Sequence, residues 1–288
     1  IIYPRIIVEP VYLINKALTS LSPFFKKFEV STIAHGDRDV HNLSDKTKPN
    51  LSFTNKEIEE GKKFLNKYGL NKNSKFVCFA IRDEKYLNER FPEKDWSYHN
   101  YRNYDSDNFL EAAEALTHKG YAVFRMGLNV KKKFFCKNKM IIDYANLPER
   151  SDFLDVYLGA NCNFCLSTSC GYDSIPKAFR KPVAFITVPI QFFVTSSEKF
   201  LIMAPHHFSK KLKRNLKFSE LIENKIGECI KFDHYEKKGI ELIKNTPDEI
   251  REFALEMADR CENKWQDTQE DKKNQLNFWT NYENKLLE

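Results

Sequence analysis

The stretch from Ser151 to Thr187, SDFLDVYLGANCNFCLSTSCGYDSIPKAFRKPVAFIT, constrains the fold most. Its spacing predicts helix, apolar strand, small-residue turn, helix and strand. The turn, Ser167-Thr168-Ser169-Cys170-Gly171, leaves a strand and enters a helix. A helix start in that position offers free backbone N–H groups and the positive end of a dipole, which suits an anion such as a phosphate. The hydroxyls of Ser167, Thr168 and Ser169 would add donors, and Gly171 would allow close approach to the backbone. An ordinary βα loop with capping hydroxyls would use the same residues, so this stretch by itself leaves both readings open.

The pattern recurs along the chain. Apolar strands are predicted near 76–81, 121–126, 140–144, 163–167 and 182–187. Between them lie helices or connectors: Thr54 and Glu57 have capping-box spacing before a helix to about Tyr68, and Phe109, Ala112, Ala113 and Leu116 share a helix face. Such alternation predicts an α/β fold, a Rossmann-like parallel sheet with flanking helices. Ligands of such sheets bind at the carboxyl ends of the strands. Here those ends carry Arg82-Asp83, Arg125, Asp143 and the 167–171 turn. Residues 84–106 form a long excursion holding Trp96, Tyr98, His99, Tyr101, Arg102 and Tyr104, and a loop of that length in a compact domain is a functional candidate.

The flanks are less patterned. Residues 1–10 read as a strand and turn, a helix is expected from about residue 11, FEVSTIA (28–34) as a short strand, and 36–52 as a polar loop. Residues 188–217 read as irregular, with a dense basic patch after His206-His207. Phe218 to Ile230 reads as a helix. Thr246-Pro247 starts a core-facing helix, and 269–286 forms a polar final helix. The expected division is 1–75 as an N-terminal remnant with a linker helix, 76–245 as the ligand-binding domain, and 246–288 as C-terminal helices packing back on the body.

Composition removes several classes of function. No apolar run is long enough to span a membrane, and neither G-x-G-x-x-G nor a P-loop occurs. The net charge of +6 is mild and its lysines are scattered, which argues against nucleic acid and fits an anionic ligand or a peripheral membrane contact. The seven cysteines are read as free thiols in a cytoplasmic protein; Cys162 and Cys165 lack a matching pair at zinc spacing, so no metal site is expected.

The ordered set FxCFxIRDxxYL (76–87), SYHNYRN (97–103), GYxVFRMG (120–127), IIDYA (141–145), the 151–182 segment and ELIKNTPDEIREFALEM (241–257) resembles glycosyltransferases of bacterial surface-polysaccharide loci. These are similar to the fucosyltransferase-like branch of GT-B enzymes. The resemblance covers roughly residues 38–266. It implies a GT-B layout with a reduced or truncated N-terminal domain. The implied activity moves a sugar from a nucleotide-sugar donor to a glycan or lipid-linked acceptor, with inversion and without a metal or other cofactor, at or near the inner face of the membrane.

By the same resemblance Arg82 contacts the donor diphosphate, although Ala80 stands where a His is often found. The 167–171 turn holds phosphates, and Asp143 loosely matches an acid near base or ribose. From the residues themselves, Arg125 is a second donor-binding candidate, and Tyr98 and Arg102 are acceptor-side candidates. Asp83 is the nearest general base, followed by Glu84, His99 and Asp105, although an ion pair explains Asp83 equally well. Two rival functions are a nucleotide- or sugar-binding module without turnover and a GT-B-shaped nucleotide-sugar epimerase.

Overall fold

Alternating side chains on β1 build the molecule in two directions at once. In the computed structural model, which describes residues 5–21, 24, 42–188, 190 and 197–283, β1 spans Lys75–Ala80. Val77 and Phe79 face one core, with Ala112, Ala113 and Leu116 of one helix and Ile250, Ala254 and Met257 of another. Phe76, Cys78 and Ala80 face a second core, with Phe64, Leu154 and Leu158. A strand rotates successive side chains to opposite faces, so a strand buried on both sides reads as a continuous apolar run.

The chain divides into two units, Ile1–Asp37 and Arg38–Glu288. In the first, α1 covers Arg5–Ser20 and contains Pro10. The strand and turn expected over 1–10 is therefore replaced from Arg5 onward by helix. The apolar spacing of the following residues extends through the proline, although a proline removes one helical hydrogen bond. The strand expected at 28–34 lies outside the described residues.

In the second unit α2 is a short turn, Leu43–Lys46. The helix α3, Asn55–Lys67, starts on the predicted Thr54–Glu57 capping box. After β1 come α4 (Lys85–Arg90), 3-10 turns at Ser97–Arg102 and Ser106–Phe109, and α5 (Leu110–His118). Then follow β2 (Tyr121–Met126), β3 (Ile141–Ile142), α6 (Asp152–Asn161) and β4 (Phe164–Ser167). A 3-10 turn, Gly171–Asp173, leads into α7 (Ser174–Ala178) and β5 (Val183–Ile186). The last parallel strand is β6, Phe200–Met203. All five pairings are parallel, in the order β3-β2-β1-β4-β5-β6. This is the Rossmann-like order, and its direction reverses between β1 and β4.

The described part of 188–217 is more regular than its sequence suggests. Besides β6 it contains β7 (His206–Ser209) and β8 (Arg214–Asn215), which join β9 (Ile240–Ile243) in an antiparallel sheet. The pairing rests on alternation, with His207 and Ser209 buried, rather than on an apolar run. The helix expected over 218–230 is only α8, Phe218–Glu223, and α9 covers Phe232–Lys237. Tyr235, Leu221, Ile222 and Ile240 form the small core of this module, and Tyr101 from the loop enters it. The helix α10, Pro247–Cys261, has the expected cap at Thr246 with Glu249. It is a sheet-covering helix beside α5. The final helix, α11, covers Gln269–Glu283. Among the described residues no helix is long and apolar enough to cross a membrane.

Helices α3 and α6 meet at Gly61, where an added Cβ would lie 2.2 Å from the ring of Tyr157. Gly61→Ala should therefore destabilise the fold by about 1–3 kcal/mol, read as a lower urea midpoint at unchanged slope. An unchanged midpoint would show that this contact is looser than described.

Candidate functional site

The carboxyl ends of β1 and β4 are joined by two hydrogen bonds. Thr168 N–H donates to the Ala80 carbonyl at 3.0 Å, and Arg82 N–H donates to Thr168 Oγ1 at 2.7 Å. Above this joint lies a cavity of about 780 Å³, within the usual size of small-molecule sites. Its walls are Ala80–Asp83, Ser169–Tyr172, Met126–Leu128, and Trp96, His99 and Arg102 from the loop, with Arg150, Asp152 and Asp155 opposite. It opens where the strand order reverses, the position at which α/β sheets bind ligands.

One wall is cationic. Arg82 donates to the His99 carbonyl and to Asn103 Oδ1. Arg102 donates to His99 Nδ1 at 2.8 Å, and its buried Nε has no partner among the described residues. Neither guanidinium forms an ion pair among the described residues, whereas Arg125 and Arg150 do. Burial, then the neighbouring Arg102 charge, pulls Arg82 below the ordinary arginine range. Burial, followed by Arg102 and Arg82, brings His99 down to about 4. An arginine can only donate, so Nδ1 of His99 accepts and the neutral ring carries its proton on Nε2.

The small-residue turn is organised around a residue that the sequence reading passed over. Asp173 Oδ2 accepts from Ser167 Oγ and from Cys170 N–H, both at 2.9 Å. Ser167 Oγ in turn accepts from Ser169 N–H at 3.1 Å. Burial raises Asp173, against the pull of these hydrogen bonds. Ser167 and Thr168 are completely buried and do not reach the cavity. Ser169 and Gly171 do reach it. Ser169 has φ +59°, a strained conformation for a residue with a side chain. The N–H of Gly171 has no partner among the described residues, whereas that of Tyr172 is directed to the Cys170 thiol. The signal that could have found Asp173 is its place three residues after the cap position Cys170, the capping-box spacing.

Other expected site residues are diverted into structure. Arg125 is 1% exposed and lies between Asp143 at 3.4 Å and Asp83 at 3.9 Å. Asp143 also accepts from Phe134 N–H and Asn146 Nδ2. Neither Arg125 nor Asp143 lines the cavity. Asp83 does, but its oxygens accept from Lys85 N–H and Lys131 N–H, both at 2.9 Å. Glu84 pairs with Lys131. Tyr98 is not in the cavity wall and packs on His99, with ring centroids 4.0 Å apart. Two D-x-D triplets occur. Asp37-Arg38-Asp39 lies outside the described residues, and Asp105-Ser106-Asp107 pairs with Lys132.

The opposite wall adds Arg150, Asp152 and Asp155, none of which the sequence reading singled out. Arg150 donates to the Gly127 carbonyl at 3.1 Å and pairs with Asp155. Gly127 has φ +147°, and a Cβ there would lie 2.7 Å from Val130, so this turn requires glycine. Burial raises Asp155 above the usual carboxylate range, opposed by Arg150 and the Tyr144 hydroxyl. Asp152 is fully exposed at the rim. A larger hollow of about 1150 Å³ lies at the β6 edge beside α11. It is lined by Glu198, Glu256, Asp267 and Asp271, and its one arginine, Arg260, pairs with Glu256 and Asp267. That hollow is mainly acidic, whereas the smaller cavity sets Arg82, Arg102 and Arg150 against Asp83, Asp152 and Asp155.

No protein-family model matches the sequence, and no curated protein matches it. Two solved structures resemble the fold. One is a family 9 glycosyl transferase from Veillonella parvula DSM 2008, at 13% identity and TM-score 0.40, over 65% of this chain and 51% of that one. The other is ADP-heptose LPS heptosyltransferase II of E. coli, at 16% identity and TM-score 0.36, over 74% and 54%. The matched region spans about half the length of either protein.

The neutral state of His99 has a pH signature. Its folded pKa is depressed, so between about pH 6.5 and 4 the unfolded chain takes up a proton that the folded chain resists. Stability contributed by this residue is present above that window and lost as the pH falls through it. His99→Gln should lose less stability than wild type between neutral pH and about pH 4, measured by urea unfolding. Equal losses would mean that burial and the neighbouring arginines do not hold the ring neutral.

Proposed function

We propose that the chain is a glycosyltransferase of GT-B type that holds the diphosphate of a nucleotide-sugar donor against Arg82 and Arg102 and passes the sugar to a glycan or lipid-linked acceptor. The observation that carries the reading is the pair of arginines without carboxylate partners at the strand-order reversal. Two adjacent half-buried cations repel each other, and a bound anion relieves that repulsion through charge-assisted hydrogen bonds. In sugar transfer the leaving diphosphate gains negative charge, which a fixed cationic wall stabilises without further rearrangement. The free N–H of Gly171, the Ser169 side chain and the His99 Nε2–H are further donors for the phosphates. The apolar strip of Leu87, Leu128 and Val130 suits a base or sugar face.

The reading includes inversion and metal independence. The acceptor hydroxyl must then lose a proton to a carboxylate in the cavity. Asp155, raised by burial, and exposed Asp152 are better placed for that than Asp83, whose oxygens already accept from the backbone. The engagement of Asp83 also favours a second reading, a nucleotide- or sugar-binding module without turnover.

Thermal unfolding with GDP, UDP, CDP, ADP and their sugars tests the ligand. A nucleotide at a hundred times its Kd should stabilise by about 2.7 kcal/mol, and Arg82→Ala with Arg102→Ala should abolish the shift. No shift with any of them removes the donor site. Product analysis then separates the functions: sugar on an acceptor supports transfer, free sugar supports an epimerase-like reaction, and binding without consumption supports the module. Asp155→Asn should lower turnover at least 100-fold while keeping nucleotide binding.

A further inference from the structure

The antiparallel sheet delivers a third cation to the site's supports. Lys244 follows β9, and its ammonium donates to the Tyr101 carbonyl and lies 4.3 Å from the centre of the Tyr104 ring. Like Arg82 and Arg102, it has no carboxylate partner among the described residues. The next residue, Asn245, accepts from the Tyr104 hydroxyl at 3.1 Å and donates to the Ala204 carbonyl. The Tyr101 hydroxyl donates to the Ile230 carbonyl at 2.9 Å. Three polar contacts thus fasten residues 101–104 to the module, and the residue that Lys244 holds sits between His99 and Arg102.

We propose that Lys244 is a positioning residue of the anion site. It fixes the loop that presents Arg102 and His99, and its charge adds to those of Arg82 and Arg102, so that the affinity for a diphosphate depends on its protonation. This rests on the reading that Arg82 and Arg102 hold the phosphates. The titratable groups around the ammonium are Arg82, Tyr101 and Tyr104, with His99 and Arg102 flanking Tyr101 and with Glu249 and its partner His206 beyond Tyr104. Burial, then Arg82, brings Lys244 down to about 8. Tyr101 and Tyr104 are both pushed up by burial, away from that region. A bound anion favours the protonated lysine, and by reciprocity the protonated lysine favours the anion.

The test is the Kd of UDP, GDP, CDP and ADP by calorimetry from about pH 7.5 to 9.5, where the terminal phosphate stays fully ionised. Wild type should weaken about tenfold across that range. Lys244→Arg keeps the charge and should bind at near wild-type strength with a flat profile. Lys244→Met should be about tenfold weaker at pH 7.5 and also flat. If Lys244→Met does not fold, the flattened profile of Lys244→Arg decides. A flat wild-type profile, or Lys244→Met binding as tightly as wild type, overturns the proposal while leaving the donor site standing if Arg82→Ala abolishes binding. Absence of any nucleotide binding to wild type overturns both.

Discussion

The joint between β1 and β4 is the constraint on which the site depends. Thr168 both donates through its N–H to the end of β1 and accepts through its hydroxyl from Arg82 N–H. One buried residue therefore sets where Arg82 leaves the sheet and where the Ser169–Tyr172 turn begins. The apolar cores on both faces make this joint rigid. Phe79 packs against Phe109 on one side, and Phe76 against Phe124 on the other. A buried threonine whose polar groups are both paired costs little and specifies one geometry, whereas a half-paired one would be costly.

The parallel sheet was legible because period and punctuation agreed. Thr54 with Glu57, Ser151 and Thr246 all cap helices in the way their spacing predicts, and Tyr121–Met126 forms a strand at the expected bounds. The antiparallel module was not legible, because β7 reads His-His-Phe-Ser and its stability comes from partners more than thirty residues away on β9. Position also misled at the site. Arg82 and Arg125 both lie at the carboxyl ends of neighbouring strands, but Arg125 finds Asp143 and Asp83 and becomes a buried ion pair. Arg82 finds only carbonyl and amide oxygens. Nothing local in the sequence separates the two, since the difference lies in which acids the fold brings near.

The hydroxyl-rich turn carries a similar lesson. Its serines suggested a ring of phosphate donors, but Ser167 is turned inward to Asp173, a carboxylate that occupies the helix start from inside. An internal anion at a helix N-terminus satisfies the same dipole that an external phosphate would. What remains open on the outer side of the turn is Ser169 and the Gly171 N–H. On the proposed reading these alone would make a weak anion site, and the loop that adds Arg102 would be needed to complete it.

Among the described residues Arg82, Arg102 and Lys244 lie near one another without an ion-pair partner. Other half-buried charges are paired: Lys75 with Glu262, Lys119 with Asp259 and, within the cavity wall itself, Arg150 with Asp155. Arg82 and Arg102 in the cavity wall, and Lys244 outside it, are held by neutral acceptors, which orient cations without cancelling their field. A carboxylate in their place would make the empty site more stable and would compete with an incoming phosphate. Neutral acceptors leave the repulsion between these cations uncompensated, which on the proposed reading a bound anion would relieve. The polar loop contacts that look like simple anchoring, Tyr101 to Ile230 and Tyr104 to Asn245, thereby also keep like charges near one another.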